Sequence, residues 1–161
     1  MTKVADPIAE FRDDHRKVRD GLLDLSEAIQ KKQVPQARRI LGDLNVMVGP
    51  HFRYEEEALY PALKTFLGEY VDQLIKEHDG VIATARTAAQ LLGKDSLTDA
   101  EAAAATRAAR SLLVHVSNCD GLAILTEKFS QNEMDELARK YTAAREAGVA
   151  LLDWADKIRK N

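Results

Sequence analysis

Four histidines are the residues of this chain best suited to chemistry. They are spread along its length, at His15, His51, His78 and His115. Each lies in a run of apolar residues spaced three and four apart, the pattern of a helix face turned toward a core. Buried imidazoles without partners destabilise a fold, whereas neutral imidazole is the commonest protein ligand for zinc, iron and copper. The pattern therefore predicts a metal site.

The spacing of the histidines predicts that they meet at one level of a helical bundle. In an antiparallel helix pair, residues equidistant from the turn lie at the same height. The midpoint of His15 and His51 is residue 33, inside the segment 31–35, where the first apolar pattern ends. The midpoints of the next two pairs fall between residues 64 and 65 and inside the connection 93–98. All four imidazoles are therefore expected in one layer of the core.

Carboxylate and thiol side chains accompany these histidines. Glu55 lies four residues after His51, on the same helix face and about one turn away. An inward set of histidine and glutamate in a four-helix bundle is the arrangement of di-metal carboxylate centres. Cys119, four residues after His115, faces the same stripe, whereas Asp120 lies about 100° further round and reaches inward only through a local bulge. The sequence leaves open which of the two is a ligand.

The residues next to Glu55 have simpler interpretations. Glu56 and Glu57 are expected on a solvent-facing side, with one of them a candidate acceptor of a hydrogen bond from a metal ligand. Tyr54 and Tyr60 are expected to pack in the core, and Tyr54 is the candidate hydrogen-bond donor to the site.

The elements that must position these residues are helices. Asp6-Pro7 is a helix start, and capping boxes at Thr98/Glu101 and Ser130/Glu133 start two more. Gly49-Pro50 interrupts the second apolar pattern and predicts a kink or a short break. Four long amphipathic helices with short connections predict an antiparallel up-down-up-down bundle. A fifth helix ending near Gly148 and a last helical segment, 149–161, follow, with Trp154 packing the segment onto the bundle.

Composition excludes several classes of partner. The 161 residues carry a net charge of −3 and a single cysteine. With no basic cluster, a nucleic-acid or membrane surface is not expected. No apolar run is long enough to span a membrane, and the N-terminus lacks the apolar stretch of a signal peptide, so a cytoplasmic location is expected. One cysteine provides no disulfide framework, so a metal site must use mainly histidine and carboxylate.

The motifs resemble those of the hemerythrin and HHE cation-binding family. The resemblance rests on His15, on the block His-Phe-Arg-Tyr-Glu-Glu-Glu-Ala-Leu-Tyr-Pro at 51–61, and on His78 and His115. It covers residues from about 6 to 145, including the run Ser-Gln-Asn-Glu-Met-Asp-Glu-Leu at 130–137. It implies a single all-α domain over residues 1–161, with the bundle at about 6–128 and C-terminal helices at about 130–161.

The resemblance also implies a pair of non-haem irons bridged by oxo or hydroxo groups and by carboxylates. By this likeness His15 and His51 serve one iron, His78 and His115 serve the other, and Glu55 bridges them. The family's second bridging carboxylate follows the last histidine, where this chain has Cys119 and then Asp120. Oxygen carriers have a further histidine four residues before the third, where this chain has Leu74.

These features predict a non-haem di-iron protein that binds, senses or reacts with dioxygen, peroxide or nitric oxide, as a monomer or homodimer. The shortage of nitrogen ligands favours sensing, detoxification or oxidation over reversible oxygen carriage. One alternative is an oxidase- or oxygenase-type enzyme with a cysteine-containing site of one or two metals, including a single iron or zinc. Others are a metal- or oxygen-responsive regulatory module whose tail binds a partner, and a metal-free structural bundle.

Overall fold

The computed structural model describes residues 3–159, which are helical almost throughout and contain no β-strand. One five-residue stretch, Glu55–Leu59, is a π-helix that joins the second and third α-helices. The α-helices are α1 (Pro7–Gln30), α2 (Val34–Tyr54), α3 (Tyr60–Leu67), α4 (Tyr70–Leu91), α5 (Asp99–Gly121), α6 (Ala123–Thr126), α7 (Gln131–Ala147) and α8 (Leu151–Ile158).

Side-chain caps start three of these helices where the sequence predicts them. The carboxylate of Asp6 accepts hydrogen bonds from two backbone N–H groups in the first turn of α1, at 3.1 and 3.0 Å. Both capping boxes form, Thr98 with Glu101 before α5 and Ser130 with Glu133 before α7. Each cap satisfies backbone N–H groups that a helix cannot satisfy internally.

The long helices form the predicted all-α bundle. Helix α1 packs against α2 and α5, and α4 packs against both α2 and α5. Helix α2, the π-helix and α3 together make one continuous rod, with α6 and α7 packed at the end where α3 lies. The apolar core of the described residues has three clusters: one around Tyr60 and Leu63 at that end, one around Leu25 and Ile29 at the other, and a smaller one around Phe52 and Trp154. The histidines lie between the first two clusters.

The predicted break at Gly49-Pro50 does not occur, because α2 runs through Pro50 to Tyr54. Gly49 has a tertiary role instead. A Cβ atom built at Gly49 would lie 2.1 Å from the backbone oxygen of Val149, in the connection between α7 and α8. The glycine therefore marks a close approach of two backbones. The irregularity of the rod lies further on, in the π-helix.

The C-terminal segment packs on the bundle as predicted. Trp154 is 4% exposed and contacts the cluster that contains Val48, Phe52 and Ile82. Asn45 fixes the start of α8 by accepting a hydrogen bond from the backbone N–H of Leu152 at 3.0 Å. Trp154 is therefore not exposed, and partner binding by this tail stays an untested alternative. None of the described helices has the length and apolar character needed to cross a membrane.

Candidate metal centre

Donor atoms from four helical elements converge on the carboxylate of Glu55, which is fully buried. The Nε2 atoms of His51 and His15 lie 2.9 and 3.7 Å from its Oε1 atom. The Nε2 atom of His78 lies 2.8 Å from Oε2. The thiol of Cys119 donates to Oε1 at 2.8 Å. One carboxylate therefore faces three imidazoles and a thiol.

The donor atoms form two groups that share one residue. In the first, ligand atoms of His15, His51 and Glu55 lie within 4.8 Å of one another, and in the second those of Glu55, His115 and Cys119 do so. Three donors within this distance can surround one ion. Glu55 is the residue that the two groups share.

The π-helix decides which residues join Glu55 on this face. Its characteristic bond runs from the backbone N–H of Tyr60 to the carbonyl of Glu55, five residues earlier. The extra residue in the turn brings Tyr60 onto the face of Glu55, and such turns recur at functional sites. The Tyr60 hydroxyl lies 3.4 Å from Oε2 of Glu55, 3.0 Å from Nε2 of His78 and 3.5 Å from Sγ of Cys119.

Both tyrosines pack in the core as expected, but the expected donor to the site is wrong. Tyr60, expected only to pack, has its hydroxyl in the site. Tyr54, the expected donor, is 1% exposed and its hydroxyl has no hydrogen-bond partner within residues 3–159. The sequence-based prediction assigned the donor role to Tyr54 instead of Tyr60 because it assumed a regular α-helix through residues 55–59.

The outward nitrogen of every histidine faces a carboxylate. The Nδ1–carboxylate distances are 3.0 Å for His15–Asp120, 3.0 Å for His51–Asp14, 2.7 Å for His78–Glu56 and 2.8 Å for His115–Glu77. An ionised carboxylate only accepts hydrogen bonds, so each Nδ1 carries the proton. The inward Nε2 atoms of His51 and His78 also lie within hydrogen-bond distance of a carboxylate, that of Glu55, so a proton on either nitrogen must leave before it can bind a metal. This histidine–carboxylate pairing orients metal-ligating imidazoles and makes them more basic.

Arginines hold three of these outer carboxylates. Arg145 donates to Asp14 at 3.1 Å, and Arg12 donates to Asp120 at 3.1 Å. Arg159, which follows α8, forms a two-point pair with Glu56 at 2.8 and 2.7 Å. Pairs of this kind hold carboxylates in place through charge-assisted hydrogen bonds.

The sequence model of the hemerythrin HHE cation-binding domain matches residues 6–122. The chain belongs to this family. The resemblance inferred from the histidine motifs is thereby confirmed, and cation binding is the property that the family description states. Comparisons with curated proteins and with solved structures find no match to the chain. The fit of this HHE domain to a metal therefore rests on its donors, which are inward nitrogens, a shared carboxylate and a thiol.

The structure separates the two residues that follow His115 in this HHE domain. Cys119 is fully buried and its sulfur lies in the second donor group. Asp120 lies on the outer side of His15, where its Oδ1 accepts from Nδ1 at 3.0 Å while Arg12 binds the same carboxylate. No bulge turns Asp120 inward, because α5 stays regular to Gly121. The candidate ligands brought together are thus His15, His51, Glu55, His78, His115 and Cys119.

Charges in the HHE site are strongly coupled. Burial opposes the charged form of His51, but Glu55 and Asp14 outweigh it and raise the pKa of His51 to about 10. Burial would raise the pKa of Glu55, but His51 and the neighbouring imidazoles hold it well below its usual value. Burial and the charge of Glu55 raise the pKa of the Cys119 thiol. Without a metal, the site therefore holds protons that a metal would have to displace.

Aromatic rings fix the imidazole planes. Phe52 stacks on His78 with ring centres 3.7 Å apart and planes 9° apart. Phe11 meets the edge of His15 at 4.3 Å. Because these aromatic contacts restrict the imidazole rings, the Nε2 atoms of His78 and His15 are held in position before any metal binds.

Sequence analysis missed Asp14 and Glu77 and gave Asp120 a different role. A common signal links the four outer carboxylates: each is the immediate neighbour of a candidate ligand. Consecutive helix residues are about 100° apart, so the neighbour of an inward ligand points sideways. Asp14, next to His15, therefore reaches a histidine on the adjacent helix rather than its own neighbour.

Proposed function

We propose that this domain holds two irons in one centre that binds or reacts with dioxygen, peroxide or nitric oxide. Two overlapping donor groups support the proposal: His15, His51 and Glu55 in one, and Glu55, His115 and Cys119 in the other. Glu55 would bridge the two ions. When bound, iron supplies reversible electron transfer and open coordination positions for a small molecule.

His78 completes the donor set. Its Nε2 atom lies 2.8 Å from the oxygen of Glu55 that is not the acceptor of the Cys119 thiol. Together with His115, whose ring centre is 5.0 Å away, it would serve the second ion. Each ion would then receive fewer protein ligands than an octahedral metal accepts, which leaves room for small-molecule binding rather than a saturated storage site.

Tyr60 is the residue of this chain best placed to hold a proton at the centre. Burial, with the charges of Glu55 and Cys119, raises the pKa of Tyr60 well above its ordinary value. The phenol therefore stays protonated, and its Oη atom lies 3.4 Å or less from Glu55 and His78. We infer that it donates a hydrogen bond at the site and orients the bridging carboxylate.

The test measures iron per chain and then the reaction of the reduced protein with oxygen. Two irons per chain and a change in the visible spectrum after mixing with oxygen are expected. Glu55→Gln should lose most of both irons, because Glu55 is common to both groups. Glu57→Gln is the matched control, since Glu57 is exposed and paired with Arg53. Iron-loaded protein that shows no spectral change with oxygen, peroxide or nitric oxide would refute the proposal.

A second candidate is a centre with one metal and a thiolate ligand. It is favoured by the group Glu55, His115 and Cys119, which supplies oxygen, nitrogen and sulfur to one ion. Such a mixed set suits zinc as well as iron. Metal content separates the candidates, because a single zinc or iron per chain at saturation supports this one and two irons support the first.

A further inference from the structure

A long cavity leads away from the candidate metal centre. Its volume is about 520 Å³, within the range of small-molecule sites, and its inner end is formed by His15, His51 and His115. From there it runs between the helices toward Ile29 on α1 and Arg38 on α2. It is therefore continuous with the site that the proposed function uses.

The cavity is long. His15 and Ile29 both line it and lie 14 positions apart on α1, about 21 Å at the rise of an α-helix. Its volume of about 520 Å³ is that of a site for a single small molecule.

Small side chains create this space. Leucines and valines of α1 and α2 line one side, whereas α4 and α5 present Ala85, Ala88, Ala105 and Ala108. Close-packed cores fill such volumes with larger residues. The lining offers few hydrogen-bonding groups between the histidines at one end and Arg38 at the other, so an extended peptide would leave its backbone polar groups unsatisfied.

The mouth of the cavity lies between α2 and α4. Every lining residue that is exposed belongs to one of these two helices, as Gly42, Thr87 and Arg38 illustrate. Arg38 is held at the outer end by donating to the backbone oxygens of Leu92 and Lys94 at 2.8 and 3.3 Å. A molecule enters from this side and extends its apolar part toward the histidines.

We propose that the cavity binds an unbranched hydrocarbon chain whose inner end lies against the metal centre. One part of this proposal, the presence of a metal at the inner end, rests on the proposed function. A chain of this kind suits a long cavity with an apolar lining, and the length accommodates many methylenes. The apolar lining stabilises such a chain by removing its surface from water.

The first experiment measures binding of saturated alcohols of increasing length by displacement of cis-parinaric acid, a fluorescent polyene, from the full-length protein. Affinity should rise about fourfold per added methylene and reach a plateau when the chain exceeds the cavity. No displacement, or affinities independent of chain length, would overturn the proposal.

Three variants locate the binding site. Ala108→Phe fills the cavity from α5, and Gly42→Phe fills its mouth, where a Cβ has nothing within 4 Å and folding is not impeded. Each should weaken alcohol binding about tenfold or more. Ala104→Phe, at an exposed position of α5 outside the cavity, is the control and should keep wild-type affinity. Equal affinities for Gly42→Phe and the control would place the alcohol elsewhere and refute the proposal.

The last measurement separates this inference from the proposed function. A long alcohol added to iron-loaded protein should change its visible spectrum, and Gly42→Phe should abolish the change. Binding without any spectral change would disprove contact with the metal centre. Reaction with oxygen in a protein that binds no alcohol would overturn this inference alone, whereas alcohol binding by a protein without oxygen chemistry would overturn the proposed function alone.

Discussion

Replacing Asp14 by asparagine tests whether the outer carboxylates tune the metal centre. Asp14 is 5% exposed, and its Oδ2 atom lies 3.0 Å from Nδ1 of His51. Its other oxygen accepts from Arg145 at 3.1 Å. Asp14→Asn keeps the size of the side chain and removes its charge. The amide oxygen can still accept from Nδ1, so the change removes the charge behind His51, together with the hydrogen bond from Arg145, and keeps the acceptor.

The expected magnitude follows from this geometry. Loss of a carboxylate behind a metal-ligating histidine typically lowers metal affinity about 10–100-fold. Because the amide retains one acceptor, we expect the lower end of that range, about tenfold, or about 1.4 kcal/mol of binding free energy. Asp14→Ala, which removes the acceptor as well, should fall nearer 100-fold. Arg145 keeps its contact with Glu10 at 3.0 Å, so the fold should survive.

The assay is a competition between the protein and a chromophoric chelator for ferrous iron under anaerobic conditions. Asp13→Asn is the matched control, because Asp13 is the preceding residue but faces solvent and pairs with Lys17 at 3.0 Å. The control should bind iron as the wild type does. If Asp14→Asn and Asp13→Asn have the same affinity, the carboxylate does not support His51 and the argument for all four outer carboxylates fails.

Three further predictions concern the ligands, the metal and the fold. Cys119→Ala should remove any thiolate-to-iron absorption band from the iron-loaded protein, whereas Asp120→Asn should keep the band and weaken iron binding about tenfold; the reverse pattern in visible spectra would make Asp120 the ligand. Stripping the metal with a chelator should lower the free energy of unfolding, by about 4 kcal/mol relative to a metal concentration 1,000 times Kd, as measured by urea denaturation; equal stability of both forms would argue against a buried site. Gly49→Ala should destabilise the fold by about 1–3 kcal/mol, because its Cβ would lie 2.1 Å from the Val149 oxygen. Gly42→Ala, with nothing within 4 Å of its Cβ, should stabilise by about 0.5–1 kcal/mol, and thermal unfolding of both variants checks the contrast.

Periodicity and turn symmetry were sufficient to predict the bundle and the convergence of the histidines. Both depend on regular helix geometry, which determines the spacing of apolar residues along the sequence. The caps at Asp6, Thr98 and Ser130 were predictable because a cap and its partner lie within three residues of each other. Local interactions of this kind need no knowledge of the tertiary structure.

Other features depend on tertiary contacts and were not predictable. The pair Gly49-Pro50 predicts a kink or a short break, but α2 continues through it, and the glycine is needed because a connection 100 residues later passes close to α2 there. Tyr60 enters the site because of one extra residue in a π-turn, which shifts every later side chain by about 100°. The cavity was not predictable either, since its alanines have the spacing of an ordinary core stripe, and only the tertiary structure shows that the space between the helices is open.

The C-terminal helices connect these observations. Arg145 on α7 and Arg159 after α8 lie outside residues 6–122, yet they pair with the carboxylates behind His51 and His78. Buried carboxylates without such partners are costly and tend to become neutral, and a neutral acceptor supports an imidazole less strongly. The close contact at Gly49 and the burial of Trp154 hold this tail in place. Packing of the tail is therefore coupled to the electrostatics of the histidines, although the tail contributes no candidate ligand of its own.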